Sequence, residues 1–272
     1  MLALLAQLAP ISGDVDGNVA RLEQVVHEHA GVELAVFPEL FLAGYELARA
    51  GELACPADGA ELERVRNAAA ASATAVIVGF CERTEDGTAA NSAACIDVDG
   101  SLAAVYRKTH LFGAAERRAF SAGEEMFVVS LAGRRVAPMI CFDMEFPEPA
   151  RALCREGAEL LVTTSANMAP YGSDHELAAR SRALENRRPH LYVNRVGSCE
   201  GQQFLGGSRA IDADGRVTAR AGAGTDAHEQ LLEVEVPEMS ATAVDVDYLQ
   251  HVRGDLPVRV AVPHTGEGGQ TR

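Results

Sequence analysis

Short apolar runs rich in strand formers alternate with amphipathic segments along nearly all of this 272-residue chain. That alternation restricts the fold more than any other feature. The run "LALLAQLAP" closes at Pro10, and "ELAVFPEL" is broken by Pro38; both read as buried strands. Between them Val19, Leu22, Val25, Val26 and His29 fall at helical spacing, with Gly31 as the stop. Residues 60 to 73 predict a second helix. "AVIVGFCE" is apolar without interruption, as expected of a strand covered on both faces. "NSAACIDVDGSLAAVYRKTH" predicts a hairpin turning at Asp99-Gly100. The second half repeats the alternation: strand "RRVAPMIC", helix "PEPARALCREG", strand "ELLVTT", helix "SDHELAARSRALENR", strand "HLYVNRVG" and hairpin "GGSRAIDADGRV". Such an order predicts an α/β layered domain, and the two hairpins argue against a purely parallel sheet. No linker-like stretch divides the chain, so one domain is expected. Periodicity fades after residue 245, and "HTGEGGQTR" reads as a tail.

Charge and cysteine usage narrow the function classes. The formal net charge is -15, with a pI near 4.9. An acidic surface argues against nucleic acid and against anionic membranes as partners. No run approaches the ~20 apolar residues of a membrane span. The opening "MLALLAQLAP" lacks a basic leader, so a cytoplasmic protein is expected. Six cysteines at 55, 81, 95, 141, 154 and 199 show no CxxC pairing and no tight framework, which predicts reduced thiols. The functional question therefore concerns individual cysteines.

One of them stands in "APMICFDMEFPE", residues 137 to 148, where a thiol ends an apolar run and acids follow at once. Two other polar residues end strands in the same manner: Glu39 after "LAVFP" and Lys108 after "LAAVYR". In α/β sheets chemistry gathers where strands end and loops begin. A thiol with a free pKa of ~8.5 is a weak nucleophile at neutral pH unless a base takes its proton. A carboxylate can take it, and an ammonium can steady the thiolate and then an oxyanion. Each residue alone has an ordinary reading: Cys141 as core, Glu39 as a helix N-terminal acid, Lys108 as a solvated surface lysine.

Three stretches, "FPELFLAGY" (37–45), "YRKTHLFG" (106–113) and "ICFDMEFPE" (140–148), resemble in order and spacing the signature regions of the nitrilase superfamily of carbon–nitrogen hydrolases. The resemblance extends to about residue 250. It implies a carbon–nitrogen hydrolase domain over 1–255 and a tail over 256–272. The implied fold is a four-layer α-β-β-α sandwich with mixed sheets, assembled as a homodimer or higher homo-oligomer. The family's acid, lysine and cysteine fall on Glu39, Lys108 and Cys141, and its second glutamate on Glu116.

The resemblance implies amide hydrolysis through a thioester, with neither metal nor organic cofactor. Lys108 and the Phe142 N–H would form the oxyanion site. "YRKTHLFG", "ICFDMEFPE" and "SANMAPYG" are most similar to 5-aminopentanamidases and stereoselective amidases. Nitrilases of the family carry Trp-Glu after the cysteine, whereas Phe142-Asp143 stands here and the chain has no tryptophan. Nitrile and N-carbamoyl amide hydrolysis remain alternatives, as does a catalytically silent binding or assembly module. Glu145 stands where ω-amidases of the family carry a basic residue. A carboxylate repels a substrate carboxylate, which favours a neutral or cationic amide. Asn167, Met168, Pro170, Tyr171 and Tyr45 are candidates for the pocket wall. Asp143 and Glu148 are expected to fix the turn and to cap the helix beginning near Pro147. A thiol protease would need a histidine base; His110, His175 and His190 are available, but the local signature is missing.

Overall fold

A computed structural model describes residues 1–236 and 248–253 of the chain. The first half lays down β1 (Leu2–Gln7), β2 (Leu34–Val36), β3 (Ala75–Arg83), β4 (Ala89–Ile96) and β5 (Leu102–Arg107). The second adds β6 (Val129–Leu131), β7 (Arg134–Ile140), β8 (Leu160–Ser165), β9 (His190–Asn194), the ribbon β10 (Val196–Cys199) and β11 (Gln202–Leu205), then β12 (Arg209–Ile211) and β13 (Val217–Arg220). β14 (Gln230–Glu235) returns to the first half. Two six-stranded sheets result, in the orders β14-β1-β2-β3-β4-β5 and β13-β12-β9-β8-β7-β6. Each has a parallel centre, β1-β2-β3 and β7-β8-β9, flanked by antiparallel strands. The sheets are therefore mixed, as the hairpins predict.

Side-chain alternation shows why the central strands are buried at nearly every residue. In β1, Ala3 and Leu5 point into a core shared with Val136, Ile140, Leu160 and Val162 of the other sheet. Leu4 and Ala6 point the opposite way, onto Val19, Leu22 and Val26 of α1 (Val15–Glu28) and Leu62, Val65 and Ala69 of α3 (Ala60–Ser72), the short α2 (Ala50–Leu53) lying between those two helices in the chain. α4 (Gly113–Ala119) follows β5. On the far side, Ala137, Met139 and Leu161 meet Ala150, Leu153 and Cys154 of α5 (Pro147–Arg155). Ala179 and Ala183 of α6 (Gly172–Asn186) pack on Tyr192 and Ile211. The layers are helix, sheet, sheet, helix. A strand face turned to water would alternate with polar residues; here both faces are covered, so the runs are continuous.

Three expectations need correction or restriction. "HLYVNRVG" is not one strand: β9 ends at Asn194 and β10 joins β11 in a separate ribbon. The break falls where the Asn194 side chain binds the Asn167 N–H, the Asn167 carbonyl and the Gly206 carbonyl, tying the chain to a neighbouring loop. The α5 N-terminus is not capped by Asp143 or Glu148; its N-cap is Phe146, without a side-chain bond. Glu148 is an exposed acid in the first turn. The proposed boundary at residue 255 and the tail lie outside the described residues. Among the described residues no helix is long and apolar enough to cross a membrane.

Candidate active site

The strand ends bring the expected residues together. Glu39 lies just past β2, Lys108 follows β5, Cys141 opens a 3-10 turn (Cys141–Glu145) after β7, and Ser165 ends β8. The Glu39 loop rests directly on β3. A Cβ on Gly79 would stand 2.4 Å from the Pro38 carbonyl oxygen and 2.6 Å from the Glu39 Cα, so only glycine allows this approach. Cys141 adopts φ +48°, the left-handed region that a residue with a Cβ avoids. That turn has a visible consequence. Ile140 and Cys141 both join the core between the sheets, whereas an unbroken strand would send them to opposite faces. The strained backbone, costing on the order of 1–3 kcal/mol, thus presents the thiol on the side of Lys108 and Glu39.

Asp143 holds this turn. Its carboxylate accepts hydrogen bonds from the Ile140 N–H (3.0 Å), the His110 N–H (2.8 Å), Thr109 Oγ1 (2.8 Å) and the Tyr106 hydroxyl (2.8 Å). The Cys141 turn is thereby stapled to the segment that carries Lys108. His110 Nδ1 also lies 2.9 Å from Asp143, and its ring stacks on Phe146.

Lys108 is completely buried between two acids. Its Nζ donates to Glu39 Oε1 at 2.7 Å and to Glu116 Oε1 at 2.9 Å. Glu39 also accepts from Asn91 Nδ2 (2.7 Å) and from the Ala166 N–H (2.7 Å). Glu116, from α4, accepts in addition from the Tyr45 hydroxyl (2.7 Å) and the Phe112 N–H (2.7 Å). Three donors on each carboxylate describe two ionised acceptors held in fixed orientation. An ammonium has three hydrogens, so Lys108 keeps one for another acceptor.

The electrostatics follow from burial and these charges. Burial alone would lower the Lys108 pKa, but the Glu39 and Glu116 carboxylates outweigh it and hold the ammonium well above its ordinary value. Burial lifts Glu116, while Lys108 pulls it back. Burial and the Glu39 charge push the Cys141 thiol well up; Lys108 and a hydrogen bond from the Ser165 side chain oppose them. At rest the sulfur keeps its proton, beside a carboxylate able to take it. Burial also pushes Cys55, Cys81, Cys95 and Cys154 up to about 12, so ionisation does not set Cys141 apart; its surroundings do. The Arg195 guanidinium, pushed down to about 10 by burial, lies 4.0 Å over the Phe204 ring and attracts Glu39 from behind.

Cys141 lies at a narrow cleft. The expected substrate-binding residues Glu145, Asn167, Met168, Tyr45 and Tyr171 all line it, together with Glu116 and the oxyanion candidate Phe142. Asn167 donates from Nδ2 to the Tyr171 carbonyl, and Tyr171 is half exposed at the rim. Pro170 is not among the lining residues. Sequence reasoning missed three participants: Phe112, whose ring meets both Phe142 and Tyr171 edge-on; Ser165; and His175, which lines the cleft and sits 3.0 Å from Glu145 Oε1. Ser165 did carry a signal, since it ends a strand as Cys141 does. The histidines weighed as thiol-protease bases are engaged elsewhere: His110 with Asp143, His190 with Thr163 and the Ala179 carbonyl, His175 with Glu145 and Tyr192. Among the described residues no group of three or more His, Cys, Asp or Glu is arranged to hold a metal ion.

Comparison with known proteins agrees with this geometry. Residues 2–252 match the carbon-nitrogen hydrolase family model. The chain is 38% identical to an (R)-stereoselective amidase of Pseudomonas sp., over 92% of this chain and 90% of that protein. It is 41% identical to the "hydrolase in pqqF 5'region" of Pseudomonas protegens, over 82% and 79%. Among solved structures, the amidase of Nesterenkonia sp. AN1 superposes with a TM-score of 0.83 at 28% identity, covering 93% of this chain and 94% of that one. That structure is a glutamate-to-glutamine mutant with the acetamide moiety of fluoroacetamide added covalently at the active-site cysteine. A cysteine-to-alanine mutant of the same amidase is in complex with butyramide.

Proposed function

The chain belongs to the carbon–nitrogen hydrolase family and is a hydrolase acting on amides, and from that premise we propose that it converts a short neutral carboxamide to the carboxylic acid and ammonia, with Cys141 as nucleophile. The observation that carries this reading is the closed Glu39–Lys108–Glu116 network beside a buried thiol. As the sulfur attacks the amide carbon, its proton passes to Glu39. The oxyanion takes the remaining Lys108 hydrogen and the Phe142 N–H. Glu39 returns the proton to nitrogen, the C–N bond breaks, and ammonia leaves a thioester on Cys141. Glu39 then accepts a proton from water as its oxygen attacks. The C–S bond breaks, and the thiol is restored. Glu116 orients Lys108 and stands where the substrate amide would enter.

The cleft supports a neutral amide. The rings of Tyr45, Phe112, Phe142 and Tyr171 and the Met168 side chain give it an apolar surface, and Glu145, the acid that favours a cationic ω-amino amide, is already paired with His175. The butyramide complex of the Nesterenkonia amidase points the same way. The second reading, an ω-amino amide, rests on Glu145 lining the cleft. Ammonia release from butyramide, 5-aminopentanamide, a dicarboxylic acid monoamide and butyronitrile separates them. Turnover chiefly of butyramide is expected; preference for 5-aminopentanamide would give Glu145 to the substrate, and preference for the nitrile would overturn the amidase assignment.

Glu39→Gln is expected to lower butyramide turnover by roughly 10²–10⁴-fold, the usual worth of a general acid–base group. Iodoacetamide should still alkylate Cys141 in this variant, because removing the Glu39 charge eases loss of the thiol proton to solvent and iodide leaves without a proton. Mass spectrometry of the adduct beside an ammonia assay checks both halves. Wild-type turnover in Glu39→Gln would remove Glu39 from the chemistry. The same reading extends to assembly as a homodimer or larger homo-oligomer in the cytoplasm, which sedimentation would overturn by finding a monomer.

A further inference from the structure

Behind the cleft, a run of hydrogen bonds leads from the wall back to the nucleophile. Glu145 Oε1 lies 3.0 Å from His175 Nε2, and His175 Nδ1 lies 2.9 Å from the Tyr192 hydroxyl. Tyr192 donates to Ser165 Oγ at 3.2 Å, and the Ser165 side chain favours the thiolate of Cys141. The chain crosses four elements: the turn after β7, α6, β9 and β8.

Counting hydrogens fixes its direction. A tyrosine hydroxyl has one hydrogen, and Tyr192 spends it on Ser165, so it accepts from His175 Nδ1–H. His175 Nε2 faces a carboxylate, so it also carries hydrogen. Both nitrogens are donors, and the ring is an imidazolium. Ser165, having accepted from Tyr192, keeps its own hydrogen for the sulfur. From His175 Nδ1 onward, each donor in the series points toward Cys141.

We propose that His175 is a positioning residue for Cys141: as an imidazolium anchored by Glu145, it orders the Tyr192 and Ser165 hydroxyls into a donor series that ends on the sulfur and favours the thiolate as its proton departs. The inference rests on Cys141 being the nucleophile. It also gives Glu145 a task other than substrate binding, that of counter-ion.

The surroundings of each group agree. Burial pulls the His175 imidazole down, but Tyr192 and the Glu145 carboxylate outweigh it and hold it above the ordinary histidine value. His190 is equally buried but meets only Thr163 Oγ1 and a carbonyl, and burial pushes it down to about 4. Around His175 the other charges are spoken for. Arg182 binds the Met144 and Glu145 carbonyls and Glu185, while Arg209 lies over the Tyr192 ring and pairs with Glu176. Around the sulfur stand Glu39 and Glu116, which oppose its ionisation, and Lys108 and Ser165, which favour it.

The test is the pH dependence of Cys141 alkylation by iodoacetamide in the full chain, with Cys141→Ala as the background for the other thiols. Tyr192→Phe removes one hydroxyl and keeps the ring. It is expected to raise the apparent pKa of alkylation by roughly half to one unit, the worth of one hydrogen bond. His175→Gln should shift it the same way. The double variant should shift it no further than the larger single one, because either break disconnects the imidazolium. Butyramide kcat should fall in Tyr192→Phe with KM nearly unchanged. An unmoved alkylation profile in folded Tyr192→Phe would overturn the proposal, and so would additive shifts. If Tyr192→Phe does not fold, the profile of His175→Gln decides alone. Turnover surviving in Cys141→Ala would instead overturn the nucleophile assignment, so the two failures are distinguishable.

Discussion

Lys108→Met is expected to lower amide turnover at least about 10²–10³-fold and to destabilise the protein by about 3–5 kcal/mol at neutral pH. The first figure is the usual cost of losing one oxyanion donor. The second arises because methionine keeps most of the side-chain volume but leaves Glu39 and Glu116 buried beside each other with no cation between them. Breaking a buried ion pair from one side exposes the desolvation penalty of the group left behind. The pH dependence distinguishes this from a packing defect. Without the ammonium, burial and mutual repulsion hold the folded-state pKa values of the two carboxylates above their unfolded values. A carboxylate so raised loses folded-state stability as pH climbs past its unfolded pKa. The deficit relative to wild type should therefore be small near pH 4 and grow toward pH 8. Urea unfolding at several pH values checks it. An equal deficit at every pH would mean that Lys108 acts through volume alone.

The sheet centres were legible because both their faces are covered: β2 and most of β1 and β3 are runs of apolar residues, and β8 opens on Leu160, Leu161 and Val162. β14 was not. It is an edge strand whose exposed positions include Glu233 and Glu235, and it becomes a strand by pairing with β1 at the opposite end of the chain. The three-residue β6 fails for a similar reason, since only its pairing with β7 defines it. At the site, Glu39, Lys108 and Cys141 share a local signal, a polar residue directly after an apolar strand. Glu116 has none. It sits on the short helix α4 and came only through resemblance, yet it closes the network around Lys108. The Ser165–Tyr192–His175 series was beyond reach because its links join residues 17 to 30 positions apart on different elements. Glu145 could be placed near the cleft from the cysteine motif, but its partner could not.

Cys141→Ala is expected to abolish ammonia release while leaving the fold and the amide site in place. The substitution removes one sulfur atom. Lys108, Glu39, Glu116 and the Phe142 N–H all remain, so an amide carbonyl still finds its donors. What disappears is the atom that forms the thioester, and water in its place has no covalent intermediate to follow. The backbone gains nothing, since alanine at φ +48° carries the same Cβ strain as cysteine. The stability change is therefore limited to a small lost contact, about 1 kcal/mol, well below that of Lys108→Met. Calorimetry should find butyramide binding to this variant near the wild-type KM, with no ammonia formed over hours. The iodoacetamide adduct assigned to Cys141 should vanish as well, leaving only the background of the five remaining thiols. Turnover at even a few per cent of wild type would contradict the mechanism, for Glu39 would then be activating water directly and the strained turn after β7 would have no chemical purpose.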